Sequence, residues 1–239
     1  MTQSYRLYYA PDNASLIIRL VLEEMGQPYE TVLVDRQRQQ QKSPAYRRLN
    51  PAGLIPVLET PHGPVFETGA ILLWLADRHA MMAPSPSAPG RGAFLKWLFF
   101  VSNTLHADLR LSFYPRLYAG ADPALQAALR LNAQSRLADH LALLDDLAAM
   151  ASKQPLDWFQ AGNASVLTFY LACLMRWMAL YPASQNRDWF RLGDTPHLHR
   201  ILISLEQRPA TLLAVRAEGL GPTPFTAPHY ATPPEGSAT

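Results

Sequence analysis

A chain of 239 residues, 49% of them apolar, holds enough hydrophobic material for one large domain or two small ones. Lysine and arginine number 21 against 19 acidic residues, a formal charge of +2, so no polyanion-binding surface is indicated and nucleic acid is set aside as a partner. The start, MTQSYRLYYA, lacks the apolar stretch of a signal peptide, and no run approaches the roughly 18 apolar residues of a membrane span, so a soluble cytoplasmic protein is expected.

The single cysteine, Cys173, excludes an internal disulfide, a Cys-x-x-Cys redox pair and a cysteine-rich metal site, and no metal is expected. It lies in the apolar helical run SVLTFYLACLMRWMAL, where a buried structural thiol is the expectation.

From the N-terminus, YRLYY reads as a strand, Leu16 to Met25 as an apolar helix and TVLVD as a second strand, which makes a βαβ opening. RQRQQQK, Arg36 to Lys42, reads as a solvated loop. LIPVLET and PVFET flank the turn PHG as a hairpin, and GAILLWLADRH follows as a buried helix. The proline-, serine- and glycine-rich stretch from His79 to Gly92 then separates this mixed half from one with almost no strand signal.

Beyond it, AFLKWLFFVSNTLHADLRLSFY, DPALQAALRLNAQSRLADHLALLDDLAAM and SVLTFYLACLMRWMALY all carry helical spacing, with Asp122 as an N-cap before Pro123 at N1. The expected division is therefore 1–80, a linker over 81–92, a helical bundle over 93–220 and a proline-rich tail over 221–239. The tail reads either as disordered or as an extended strap anchored by Phe225 and Tyr230, and its composition favours disorder.

The order of elements and four motifs resemble the glutathione transferase superfamily over about residues 5 to 220. That resemblance implies an α+β N-terminal thioredoxin-like domain followed by an all-α helical bundle domain. LNPAGLIPVLET looks like the family's cis-proline segment, with Pro56 as that proline and Ile55 offering its backbone N–H and C=O to the cysteinyl part of glutathione. FETGAILLWLAD resembles the family's Glu-Ser segment, with Thr68 where serine is usual. There Glu67 would pair with the ligand's ammonium, while the helix N-terminus and Thr68 would hold the γ-glutamyl carboxylate.

KWLFFVSNTLH is similar to the first bundle helix of the bacterial beta class and brings His106 and Asn103 to the thiol site, although Phe99 replaces a polar residue usual there. EQRPATLLAVRAEGL matches a terminal packing helix. At NASVLTFY the family usually has an acid three residues after its capping hydroxyl; Ser165 is present but Thr168 replaces the acid, so the reciprocal capping bond is expected to be lost or weakened.

In this superfamily the turn after the first strand carries the residue that holds the glutathione sulfur as thiolate. Here that turn is YYAPDNAS, and Ala14 stands where the beta class has its cysteine, Asn13 where the delta class has its serine. LYYAP, LEEMG and FETGAILL are similar to a nu-class-type member, which uses hydroxyl or amide donors in this turn. A free thiol has a pKa of about 8.5, so a neutral-pH thiolate needs donors or a positive dipole aimed at sulfur. The expected order of thiol-activating residues is Ser15, then Asn13, then Tyr9, with the helix-start N–H groups behind them, and Asp12 is expected to cap the helix or face solvent.

The resemblance implies a glutathione-dependent transferase with glutathione as co-substrate and a small apolar electrophile as second substrate, lined by residues such as Phe99, Phe100, Phe113 and Tyr114. The alternatives are a glutathione-dependent peroxide or disulfide reductase, and a catalytically weak glutathione-binding relative. A homodimer is also implied.

Overall fold

The computed structural model describes residues 4–151, 153–154 and 156–238. Strands β1 (Tyr5–Tyr9) and β2 (Tyr29–Leu33) run parallel and are joined by α1 (Ser15–Glu24). Strand β3 (Val57–Thr60) is antiparallel to β1 and β4 (Gly63–Phe66) antiparallel to β3, giving the sheet order β2-β1-β3-β4.

Alternation along β1 decides what each face covers. Tyr5, Leu7 and Tyr9 point into the main core with Leu16, Ile17 and Leu20 of α1 and Ile71, Leu72 and Leu75 of α3 (Thr68–His79). Tyr8 points the other way, against Tyr46 of the short helix α2 (Pro44–Arg47), with Val34, Val57 and Ile55. Each fully buried Leu or Ile contributes roughly 1.5–3 kcal/mol, and this layer holds the ends of β1 and α1, where the site forms, in fixed relation.

The second half is helical. Helix α4 (Arg91–Phe100) passes through a π-helical turn (Val101–Leu105) into α5 (His106–Phe113), followed by α6 (Arg116–Ala119), α7 (Pro123–Ala151), α8 (Val166–Leu180), α9 (Pro196–Glu206) and α10 (Pro209–Glu218). Asp122 caps α7 as expected, accepting from the Ala124 N–H at 2.8 Å. Helix α8 is buried almost all round because α1, α3, α5 and α9 surround it, which explains its lack of a polar face, and Cys173 lies enclosed within it. Helix α1 packs on both α8 and α10, so one core spans the two halves.

Two expectations need correction. The cap of α8 is complete: the Thr168 N–H donates to Ser165 Oγ at 3.1 Å and the Ser165 N–H donates to Thr168 Oγ1 at 2.8 Å, so a hydroxyl serves where an acid was thought necessary. The proline-rich tail is an ordered strap. Phe225 is buried, the N–H groups of Phe225 and Thr226 donate to Glu206 Oε1 at 2.8 and 2.7 Å, and Tyr230 Oη donates to the Leu180 carbonyl at 2.9 Å. Phe225 and Tyr230 are its anchors.

Candidate functional site

The turn from β1 to α1 is held from behind. Asp12 is buried, with φ 47°, and accepts from Arg176 Nε and Nη2 at 2.9 Å each, from Trp177 Nε1 at 2.8 Å and from Tyr181 Oη at 2.9 Å. Its N–H donates to Glu218 Oε2 at 2.8 Å, and Glu218 is itself paired with Arg19 at 2.7 Å. Asp12 therefore neither caps α1 nor faces solvent, contrary to expectation. Four side chains from α8 and α10, or the loop just past α8, fix it in a left-handed conformation that a non-glycine residue adopts only when its surroundings enforce it.

Ser15 is the first residue of α1 and fully buried. Its hydroxyl donates to the Ala10 carbonyl at 3.0 Å and accepts from the Ala10 N–H at 3.2 Å, so its one proton closes the turn. Ala14 occupies the cap position with no side-chain bond. First place for Ser15 as thiol donor is thus corrected: no proton remains to offer. Tyr9 is also engaged, its hydroxyl donating to Glu235 of the strap and its ring lying 4.8 Å from the Arg19 guanidinium. Burial, then Glu235, pushes the Tyr9 phenol well up from its usual range.

Asn13 differs. Its side-chain Oδ1 is enclosed and unpartnered among the described residues, and its Nδ2 makes no bond there. No turn or cap bond uses the N–H groups of Ala14 or Ser15. At the start of α1 the unengaged donors are thus the Asn13 amide and the opening backbone N–H groups.

On the facing side, Ile55–Pro56 is a cis peptide. Tyr46 Oη and Asn50 Nδ2 both donate to the Leu54 carbonyl, at 2.9 and 2.8 Å, fixing the loop one residue earlier, while neither the N–H nor the C=O of Ile55 enters a turn, cap or side-chain bond. Glu67 precedes α3 with φ 69°, exposed and with no side-chain cap bond. Thr68 is the first residue of α3, buried, and not the cap. A non-glycine residue held at positive φ beside a helix N-terminus is a strained feature of the kind that clusters at binding sites.

The first bundle helices close the remaining side. A Cβ on Gly69 would lie 2.9 Å from Ser102 Oγ, so α3 packs directly on the π-helical turn, an irregularity frequent at functional sites. His106 Nδ1 pairs with Tyr170 Oη at 2.8 Å, and its ring lies 6.3 Å from that of Trp177, which holds Asp12. Burial, with a smaller push from Arg110, lowers the His106 pKa to about 4, so the ring is neutral at pH 7. Burial likewise raises the Tyr170 phenol, with the Ser102 hydroxyl opposing. Asn103 is exposed on the same turn. Of the aromatic lining residues, Phe113 faces Tyr181 at 6.5 Å, whereas Phe100 packs on His140 at 5.3 Å and Phe99 is exposed.

The structure thus leaves unengaged polar groups at Asn13 and at the start of α3, and sets His106 against Trp177, which holds the β1–α1 turn. It also adds Asp12, Arg176, Trp177, Tyr170 and Tyr181, which sequence reasoning missed. One signal was available: Arg176 is the only charge within the run SVLTFYLACLMRWMAL, and a buried arginine requires an acid.

Residues 14–78 match the family model for the glutathione S-transferase N-terminal domain. The glutathione S-transferase GstA of Escherichia coli O157:H7 is 26% identical over 220 residues, covering 90% of this chain and 99% of that protein. The disulfide-bond oxidoreductase YfcG of Escherichia coli K12 is 35% identical over 102 residues, 39% of this chain and 46% of that one. A glutathione transferase of Burkholderia graminis, solved with two glutathione molecules per subunit, superposes with a TM-score of 0.74 at 24% identity, covering 90% of this chain and 88% of that one. The match of residues 14–78 to the glutathione S-transferase N-terminal domain, together with a near full-length relative named a glutathione S-transferase, supports the glutathione transferase superfamily, and the two-part fold agrees with it.

Proposed function

We propose that this protein binds glutathione across the cleft between the α1 and α3 N-termini, holds its thiol as thiolate at the β1–α1 turn, and adds it to a small apolar electrophile. The observation that carries the reading is the set of unengaged polar groups at the two helix starts and the cis-proline bend: the Asn13 amide and the Ala14 and Ser15 N–H groups at α1, and the Ile55 backbone, Glu67 and Thr68 at the bend and α3. Two peptide N–H groups and an amide at a helix start suit a thiolate; a carboxylate-ammonium end suits Thr68, the α3 N-terminus and Glu67. Asn13 takes the role first expected of Ser15. His106, held neutral with Nδ1 on Tyr170, supports the sulfur end, with Asn103 beside it.

In the addition, the thiolate sulfur forms the new bond to the electrophilic carbon and the leaving group departs with the bonding pair. Phe113 lies against Tyr181, whose hydroxyl holds Asp12, and this aromatic pair near the turn supports an apolar acceptor. A titration of thiolate absorbance with protein-bound glutathione tests the reading. A bound thiol pKa at least one unit below that of free glutathione, with turnover of an aryl halide, is expected; an unshifted thiol would leave only a catalytically weak glutathione-binding protein.

Reduction of disulfides or peroxides is the second reading, favoured by the likeness to a disulfide-bond oxidoreductase. Cys173 is buried, with its thiol pushed well up, so both reducing equivalents would come from two glutathione molecules, leaving glutathione disulfide. Faster turnover of a disulfide than of aryl halides would favour it. Exposed Leu131, Leu143 and Met150 on the outer side of α7 support a homodimer, tested by light scattering.

A further inference from the structure

The strap does more than cover the core. Gly219, with φ 63°, ends α10 and turns the chain back, its carbonyl accepting from the Thr232 N–H at 2.9 Å. Between these points the strap crosses α8 and supplies two acceptors to one buried side chain: the Pro224 carbonyl to Arg176 Nη1 at 3.0 Å and the His229 carbonyl to Nη2 at 2.9 Å. The other side of that guanidinium holds Asp12 through Nε and Nη2. Farther on, Glu235 accepts from the Tyr9 hydroxyl, Gly236 rests on Leu33 and Pro11, and the Ala238 carbonyl accepts from Arg36 Nη1 at 2.7 Å.

We propose that the C-terminal strap controls thiol binding at the β1–α1 turn by seating Arg176, the positioning residue that holds Asp12. This rests on the glutathione reading of the cleft.

A guanidinium has five donors and is stable in a dry interior only when nearly all are engaged. Asp12 engages two of them along one edge, and the strap engages two of the other three. Removing the strap leaves Nη1 without an acceptor and opens the site to water, which weakens the pairing with Asp12. Asp12 then loses much of what holds it at positive φ, and Asn13 with the Ala14 and Ser15 N–H groups, which follow it in the chain, lose their fixed direction toward sulfur. The Glu218 bond to the Asp12 N–H lies one residue before the strap begins, so it couples the same two parts.

A steric wedge tests this without touching the cleft. A Cβ on Gly219 would lie 2.1 Å from the Thr232 carbonyl oxygen, so Gly219→Ala must displace the strap. Gly26→Ala is the control, since it adds the same left-handed strain at φ 62° with open space around it. Hydrogen exchange at Asn13 to Leu16, limited proteolysis of the tail, the glutathione dissociation constant by calorimetry and the bound thiol pKa are read on the full-length chains.

Gly219→Ala is expected to make the tail cleavable, speed exchange at the turn about tenfold, weaken glutathione about tenfold and raise the thiol pKa by about one unit, while Gly26→Ala changes none of these. A cleavable tail with turn exchange unchanged would overturn the proposal. If the wild-type chain binds no glutathione, the functional reading fails, but turn exchange still decides the coupling. Should Gly219→Ala not fold, Tyr230→Ala, which removes an exposed anchor, is read by the same exchange measurement with the same two outcomes.

Discussion

The two sides of the proposed cleft differ in where their polar groups point. In the β1–α1 wall, Asp12, Ser15 and Tyr9 all turn inward, to Arg176, Ala10 and Glu235, and only Asn13 and the backbone stay open. In the α3 wall, Glu67, Thr68 and the Ile55 backbone make no comparable bonds, and the anchoring falls one residue earlier at Leu54. The first wall is rigid because its side chains hold the backbone in place; the second keeps its polar groups unengaged, which is what the proposed glutathione reading requires. A substitution of an inward-turned residue of the first, Asp12, Ser15 or Tyr9, should therefore act mainly on stability, and one in the second mainly on affinity.

The largest expected effect breaks the first wall. Arg176→Met leaves the Asp12 carboxylate buried without its partner, and such losses cost about 3–5 kcal/mol. Urea unfolding should show that drop, while Glu67→Gln, exposed and unpaired, should change stability by less than about 0.5 kcal/mol and still weaken glutathione. Equal stability losses in the two variants would erase the distinction between the walls.

Next comes pH. His106 titrates at about 4 in the fold against an ordinary 6.5, so below 6.5 the unfolded chain takes up a proton that the folded chain refuses. Stability from this group is complete above pH 6.5 and falls as pH drops toward 4, by at most roughly 3 kcal/mol. His79, also lowered by burial, adds in the same direction. His106→Gln should flatten the stability profile between pH 6.5 and 4.5; a profile as steep as wild type would mean that His106 is not the group that titrates.

Much of this arrangement was legible in the chain. The βαβ order, the hairpin, the helical half and Asp122 as a cap follow from local spacing and turn chemistry. What was not legible depends on residues far apart. Asp12 and Arg176 are separated by 164 positions, and nothing near Asp12 distinguishes a solvent-facing turn acid from a buried one. The tail shows the same limit, because prolines prevent helix in a strap and in a disordered segment alike. What orders this strap is Arg176 and Glu206, both outside it. Ser15 was misread for a nearer reason: a serine at a helix start can bond forward as a cap or back to the strand, and here it bonds back to Ala10.

Intermediate effects sharpen the contrast inside the cleft. Asn13→Ala and Thr68→Val each remove one donor of the proposed glutathione site, worth about 1.5 kcal/mol or tenfold. Asn13→Ala should appear in the bound thiol pKa, Thr68→Val in the glutathione dissociation constant, and neither should shift the melting temperature much. Ser15→Ala should do the reverse, lowering stability by about 1–3 kcal/mol because it strips bonds from a buried backbone pair, with glutathione affinity per folded molecule unchanged. Loss of thiol activation in Ser15→Ala at unchanged stability would restore Ser15 to its first place.

The smallest effect lies outside both walls, at the α8 cap. Thr168 is fully buried, and valine matches its shape, so Thr168→Val removes only the hydroxyl that accepts from the Ser165 N–H. The Ser165 hydroxyl still accepts from the residue 168 N–H and donates to the Trp158 carbonyl at 2.6 Å, so half of the reciprocal pair survives. The expected loss is about 1 kcal/mol, the cost of one helix-cap bond. Ser165→Ala removes the other half together with the tie to Trp158 and should cost more. Because α8 reaches the turn only at its far end, through Arg176 and Trp177, the Thr168→Val change should leave the bound thiol pKa unmoved. A shifted thiol pKa in this variant would show that the whole of α8, and not Arg176 alone, sets the geometry of the turn.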